Sequence, residues 1–277
     1  MTSTTPDLRD FSGRLVLVGA GKMGSALLEG WLRFGLDPKH LAVLEPQPTP
    51  QISTLTTHGL LLNPHPRALA DVAAVVIAVK PQTAAEAIPP LKPLIGASTV
   101  VVSIMAGRTL QFIADALDTP CALVRAMPNT PAAIGRGITV AVPRDVDPAQ
   151  RELAHRLLCA TGTVEWTDDE ALMDAVTAVS GSGPAYVFLL AEVLAEAGVA
   201  AGLPPLLAAK LARETVAGSG ELLHRSELEA AVLRQNVTSP GGTTAAALDV
   251  LMGKDGLTQL MRKAVAAATR RSRELAG

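Results

Sequence analysis

The apolar positions of the first half fall into short β-branched runs, separated by stretches of helical period. The runs at 14–18, 41–44, 73–79, 99–104 and 122–125 are mostly apolar on both faces, as parallel strands covered by helices must be. Between them, 23–34, 51–58, 83–91 and 110–117 read as crossover helices. Strand and helix in this rhythm predict a right-handed, doubly wound α/β sheet. A strand over 137–142, a helix over 148–159 and a strand over 163–166 are expected to complete it.

After Thr167 the strand pattern stops. The stretches 171–179, 184–201, 204–223, 227–234, 243–252 and 257–274 all read as helices, with Pro184 and Pro204 near first-turn positions where proline is tolerated. The expected division is a dinucleotide-binding domain over 1–167 and an all-α domain over 168–277. The 185–201 helix is apolar nearly all round, more than so small a bundle can bury, which predicts a subunit interface. A well-covered monomeric bundle is the alternative.

Composition narrows the partners. With 24 Lys+Arg against 26 Asp+Glu, the formal charge of -2 offers no basic field for nucleic acid or an anionic membrane, and a small molecule is favoured. Aromatic residues make up only 3% of the chain, so its helices must pack through small and aliphatic side chains. Cys121 and Cys159 lack metal-ligand spacing and read as two buried thiols in a reducing cytoplasm. The first dozen residues lack the basic start and apolar middle of a secretion signal. Glu192 and Glu196 interrupt the longest apolar stretch, so no membrane span is expected.

The chemistry begins at the first strand end. Arg14-Leu-Val-Leu-Val18 leads into Gly19-Ala20-Gly21-Lys22-Met23-Gly24 and then a helix, which is the dinucleotide fingerprint in its strand-to-helix setting. Gly19 permits the tight turn, Gly21 lets backbone approach a pyrophosphate, and Gly24 lets helix pack on strand; the helix start offers N–H groups to phosphate. Glu45 closes the second strand, where a carboxylate either accepts hydrogen bonds from ribose hydroxyls or is simply solvated. Lys80 and Pro81 follow the 73–79 strand at the sheet edge where ligands bind, although Lys80 reads equally well as a surface lysine.

Three further segments have the look of ligand loops. Arg125-Ala126-Met127-Pro128-Asn129-Thr130-Pro131 stiffens a strand exit with prolines on either side of Asn129. Ser180-Gly181-Ser182-Gly183-Pro184-Ala185-Tyr186 and Ser239-Pro240-Gly241-Gly242-Thr243-Thr244 place small residues and hydroxyls before helices, where N–H groups suit a carboxylate. Singly, each is an ordinary cap or turn.

Taken in this order and spacing, the glycine fingerprint, Val79-Lys80-Pro81 and these three segments resemble the pyrroline-5-carboxylate reductases, from about Arg14 to near Leu275. The two C-terminal segments are the specific part. The resemblance implies an N-terminal Rossmann domain, a C-terminal helical domain interlocked with its twin in a homodimer, and reduction of a cyclic imine by NADPH or NADH. Carried over by position, Gly19, Ala20, Gly21, Lys22, Met23, Gly24 and Lys80 would line the cofactor, with Asn129 near the nicotinamide. Ser239, Gly241, Gly242, Thr243 and Thr244 would hold the substrate carboxylate and ring nitrogen, Thr244 nearest the nitrogen. Glu227 and Asn236 fall near the substrate or the partner subunit.

Hydride transfer to a protonated C=N bond asks mainly for orientation and exclusion of water. No Ser/His/Asp set, metal cluster or paired carboxylate is evident in the substrate segments, and no general acid is assigned. A hydroxyacid dehydrogenase of similar plan would need a proton acceptor, commonly a helical lysine, and the 184–201 helix has none. A non-catalytic, dinucleotide-sensing protein is the alternative from another class, and the intact Asn129, Ser239 and Thr244 argue against it.

Overall fold

Alternation along the first strand, β1 (Arg14–Val18), sorts its side chains onto two faces of a sheet. Leu15 and Leu17 enter one buried cluster with Leu27 and Trp31 of the following helix α1 (Lys22–Arg33), while Val16 and Val18 enter a second cluster on the opposite face. The computed structural model describes residues 7–276. Around β1 are built β2 (Leu41–Leu44), α2 (Pro50–Leu55), β3 (Leu61–Leu62), β4 (Val72–Ile77), α3 (Ala84–Ala87), β5 (Val100–Ser103), α4 (Leu110–Leu117), β6 (Ala122–Met127), β7 (Gly137–Arg144), α5 (Pro148–Cys159) and β8 (Gly162–Trp166). They form an eight-stranded sheet of order β3-β2-β1-β4-β5-β6-β7-β8.

All neighbouring strands pair in parallel except β6 and β7. The sequence pattern did not foretell that reversal. The β6–β7 link holds only a short helical turn, Thr130–Ile134, too little chain for a crossover helix, so β7 must run back beside β6. The two-residue strand β3 was also missed, being too short for a period to register. Order reverses between β1 and β4, which pair directly, and the carboxyl ends at such a switch point are where open sheets bind ligands.

Side chains cap the starts of α2, α4 and α5. Thr109 accepts the Phe112 N–H to open α4, and Asp147 with Gln150 forms a reciprocal capping box at α5. Trp31, fully buried, donates from Nε1 to the Leu157 carbonyl at 2.8 Å, fastening α1 to α5.

The helical remainder comprises α6 (Met173–Val176), α7 (Gly183–Ala200), α8 (Pro205–Arg225), α9 (Ala230–Asn236), α10 (Thr243–Leu251) and α11 (Leu257–Ala276). Two compact units result: one takes the chain up to Gly181 together with the end of α11 from Arg270, and the other is Ser182–Thr269. Within the second unit α7 and α8 pair closely. A Cβ added at Gly198 would stand 3.2 Å from that of the buried Ala208, so a glycine lets the two backbones approach.

Between α6 and α7 the structure corrects an expectation. Thr177–Gly181 is a π-helical turn that carries the chain from α6 to Ser182, the N-cap of α7, and Ser180 Oγ donates to the Val176 carbonyl one turn back. The helical stretch Glu170–Ala200 therefore covers 31 residues and is long and apolar enough, by length and composition alone, to cross a membrane. The sequence reading expected no span there because Glu192 and Glu196 interrupt the apolar stretch. In α7 no residue is buried, and Phe188 is 69% exposed within the single chain.

Candidate functional site: a dinucleotide loop and a glycine-rich helix start

The glycine loop has the sterics that its pattern demands. Gly19 sits at φ +87°, and a Cβ there would lie 2.9 Å from the Ala78 carbonyl oxygen and 3.0 Å from Val79 Cγ1. At Gly24 an added Cβ would stand 2.2 Å from the Gly19 carbonyl oxygen and 3.3 Å from Ala78 Cβ. Both glycines are thus required by the protein itself: they bring β1, the start of α1 and the exit of β4 into contact. Gly21 is different. It is the N-cap of α1, contributes no capping side chain, and a Cβ on it would meet nothing within 4 Å. Nothing in the chain demands glycine there, so the helix start is left open for a phosphate group to approach. Lys22, Met23 and Gly24 form the first turn of that helix, with Lys22 exposed. The residues present fit a dinucleotide.

Glu45, at the end of β2, is more tightly engaged than a solvated strand-end carboxylate. Its Oε2 accepts the Ala20 N–H at 2.7 Å, and its Oε1 accepts the Gln47 N–H at 3.0 Å. Asn63, at φ +51°, grips the Glu45 backbone from both sides: Oδ1 accepts its N–H and Nδ2 donates to its carbonyl. The second strand end is thereby tied to the glycine loop. Lys80 is exposed and opens the turn Pro81–Thr83, whose Thr83 Oγ1 donates to the Lys80 carbonyl at 3.0 Å. Asn129 follows β6, and its Oδ1 accepts the Ile138 N–H at 3.0 Å, which braces the loop against β7. The turn Thr130–Ile134 beyond it packs against α1.

Two contacts escaped the sequence reading. Arg125, nearly fully buried in β6, pairs with Glu170 at 2.8 Å, and the same Glu170 oxygen accepts the Leu110 N–H at the start of α4. A partner 45 residues away leaves no local signal. The second is made by Arg108, on the loop after β5, whose guanidinium donates to the Pro81 carbonyl.

In the other unit, Ser239–Thr244 forms a tight turn. The Gly242 N–H donates to the Ser239 carbonyl at 3.0 Å, Gly241 sits at φ +68°, and Gly242 is the N-cap of α10 with no side-chain cap. Thr243 and Thr244 are the first two residues of that helix, so hydroxyls and uncapped N–H groups gather at one helix start. Asn236 is the last residue of α9 and exposed. Glu227 is exposed in the link before α9, which begins later than its apolar pattern suggests.

No thiol or metal chemistry is favoured. Both cysteines are half-buried, less enclosed than expected; burial, with Glu152 adding to it, pushes the Cys159 thiol up to about 11, and burial raises Cys121 also. Among the described residues no cluster of three or more His, Cys, Asp or Glu is placed to hold a metal ion.

Comparison with known proteins supplies the context. Residues 170–275 match the family model for pyrroline-5-carboxylate reductase dimerisation, and 14–107 match that of coenzyme F420-dependent NADP oxidoreductases. The pyrroline-5-carboxylate reductase of Pseudomonas aeruginosa is 37% identical over 265 residues, covering 95% of this chain and 97% of that protein. That of Synechocystis is 41% identical over 267 residues, covering 95% and 98%. A solved pyrroline-5-carboxylate reductase from Coxiella burnetii superposes with a TM-score of 0.88 at 33% identity, covering 96% of this chain and 99% of that one. The Plasmodium falciparum enzyme, solved with NADP bound, superposes at 0.80 with 29% identity, covering 96% and 99%. With these identities running along nearly the whole of both chains, the chain belongs to the pyrroline-5-carboxylate reductase family of nicotinamide-dependent oxidoreductases.

Proposed function

We propose that this chain reduces the cyclic imine 1-pyrroline-5-carboxylate to L-proline, the last step of proline biosynthesis, in the cytoplasm. The observation that carries the reading is identity of about 40% to enzymes of that name along nearly the whole of both chains. Residues 1–167 serve as the dinucleotide-binding domain and 168–277 as the helical substrate-binding and dimerisation domain.

A nicotinamide held there would supply the hydride, and a protonated C=N bond is electron-poor enough to receive it. The chain's own work is placement. The uncapped N–H groups of α10, with Ser239, Gly241, Gly242 and Thr243, hold the substrate carboxylate, and the Thr244 hydroxyl hydrogen-bonds the ring nitrogen. Gly19 to Gly24, Lys80 and Asn129 line the cofactor; Glu227 and Asn236 stand near the substrate or the partner subunit. The purified protein should oxidise NADH or NADPH when given pyrroline-5-carboxylate. Thr244→Val should lower kcat/KM roughly tenfold to a hundredfold, the worth of a hydrogen bond at a reacting centre, with cofactor affinity nearly unchanged. Folded protein that binds nucleotide yet turns over neither cofactor would defeat the reading.

Glu45 makes NADH at least as good a cofactor as NADPH. Its carboxylate is pinned by Ala20 and Gln47 where a ribose diol would be accepted and a further phosphate repelled, and no Lys or Arg follows in residues 46–51. Glu45→Gln, which keeps an oxygen for the Ala20 N–H, should shift the ratio of kcat/KM values toward NADPH about fivefold or more through the lost repulsion alone. A native enzyme that strongly prefers NADPH, with a ratio that Glu45→Gln leaves unaltered, would refute this.

The exposed apolar faces of α7 and its neighbours are covered by a second copy in an interlocked homodimer, consistent with the dimerisation match. Light scattering should give at least twice the chain mass at micromolar concentration; a stable monomer would overturn the assignment.

A further inference from the structure

We infer that Arg108 is a positioning residue for the cofactor, acting through the exit of β4. Its side chain leaves the loop after β5 and donates to the Pro81 carbonyl from Nε at 3.3 Å and from Nη2 at 3.0 Å. The guanidinium also lies over the Phe112 ring, 4.5 Å from its centroid, one turn into α4. The ring and the carbonyl together hold a planar cation in one orientation, which a flexible lysine would not reproduce in full.

What Arg108 holds is the segment on which the glycine loop rests. Ala78 and Val79 stand against Gly19, and Ala78 against Gly24, so the β4 exit and the dinucleotide loop share one packing surface. Beyond Val79 the chain comes to the surface at Lys80 and returns to the core only at Ala84, and the Pro81–Thr83 turn between them is closed by the Lys80 carbonyl, which accepts from Thr83, and the Pro81 carbonyl, which accepts the Ala84 N–H. Proline at 81 has no N–H to donate, and its carbonyl, which also accepts the Ala84 N–H, is the point where Arg108 reaches the turn. Arg108 thereby links the exits of β4 and β5 across the cofactor edge. The root of its own loop lies beside the end of α11, where a Cβ on Gly107 would stand 3.6 Å from the Leu275 carbonyl oxygen, and that helix end is held by a 2.6 Å hydrogen bond from Ser272 to Asp174.

The inference rests on the nicotinamide reading of this edge, and its test separates the two. NADH binding is followed by fluorescence without substrate, beside kcat, both KM values and Tm. Arg108→Ala should weaken NADH binding about tenfold, as loss of a charge-assisted hydrogen bond would, and raise the cofactor KM to match. The pyrroline-5-carboxylate KM at saturating cofactor should stay within about twofold. Arg108→Lys, which still reaches the carbonyl but cannot make the forked contact, should recover part of the affinity. In cofactor-free protein, amide exchange at 82–84 should quicken in Arg108→Ala alone. If Arg108→Ala folds poorly, Phe112→Leu serves instead, removing only the ring and weakening NADH binding about threefold. Unchanged NADH affinity in Arg108→Ala and Phe112→Leu overturns the positioning role, as does a loss that follows Tm and that lysine does not relieve. A native protein that binds no nicotinamide nucleotide overturns the functional reading itself.

Discussion

Alanine at Gly24 is expected to abolish dinucleotide binding and to lower Tm by on the order of 10 °C, whereas alanine at Gly21 should weaken binding with Tm almost unchanged. The two glycines are three residues apart in one loop and differ in what surrounds them. A Cβ at Gly24 would lie 2.2 Å from the Gly19 carbonyl oxygen and 3.2 Å from the Gly19 carbonyl carbon. Both are backbone atoms, fixed by a turn whose φ of +87° leaves no slack. Relief would require α1 to lift from β1, unseating Leu27 and Trp31 from the larger core cluster, at a cost of about 3 kcal/mol or more. At Gly21 the added methyl meets no protein atom, and the backbone, at φ −67°, suits alanine. It would stand instead where the pyrophosphate must approach the helix start. Thermal denaturation with and without NADH measures both effects. A Gly21→Ala variant that binds NADH as the parent does would mean that the phosphates lie elsewhere.

How much of this was legible in the sequence depends on how far each cause lies along the chain. Elements whose causes are local came through: β1 and β2 from apolar runs, α4 and α5 from their helical period. The glycine fingerprint was readable because its sterics act between β1 and the helix directly after it. What stayed hidden is what distant residues decide. The partner of Arg125 is one such case, since Glu170 lies 45 residues further along the chain. Glu45 was legible as an acid at the second strand end. Its bond to the Ala20 N–H was not, because 25 residues separate the two. Residue type and position therefore sufficed to nominate the site, while the hydrogen bonds that brace it required the folded chain.

The other large effect concerns the ion pair that no motif announces. Arg125 has only 6% of its side chain exposed, and its guanidinium cannot shed its charge, so Glu170 at 2.8 Å is what makes its burial tolerable. The Glu170 oxygen that accepts from Arg125 also accepts the Leu110 N–H at 2.8 Å, placing a carboxylate at the start of α4 where the helix dipole favours it. Glu170→Ala removes both contacts at once and leaves a buried cation and an orphaned N–H. The expected loss is about 3 kcal/mol, or roughly 10 °C in Tm, read by thermal denaturation at matched protein concentration. Glu170→Gln, which keeps an acceptor without the charge, should lose about half as much. The companion test is the double replacement Arg125→Met with Glu170→Leu. Swapping a buried pair for apolar side chains of similar size removes the desolvation cost along with the attraction, so the double variant should recover most of the stability that Glu170→Ala forfeits. Recovery of stability without recovery of turnover would separate a second duty of Arg125. It lies on β6 four residues before Asn129, and the strand it anchors carries the loop that Asn129 braces against Ile138. A Glu170→Ala protein as stable as the parent would instead mean that water reaches the guanidinium in solution and that the pair contributes nothing to the fold.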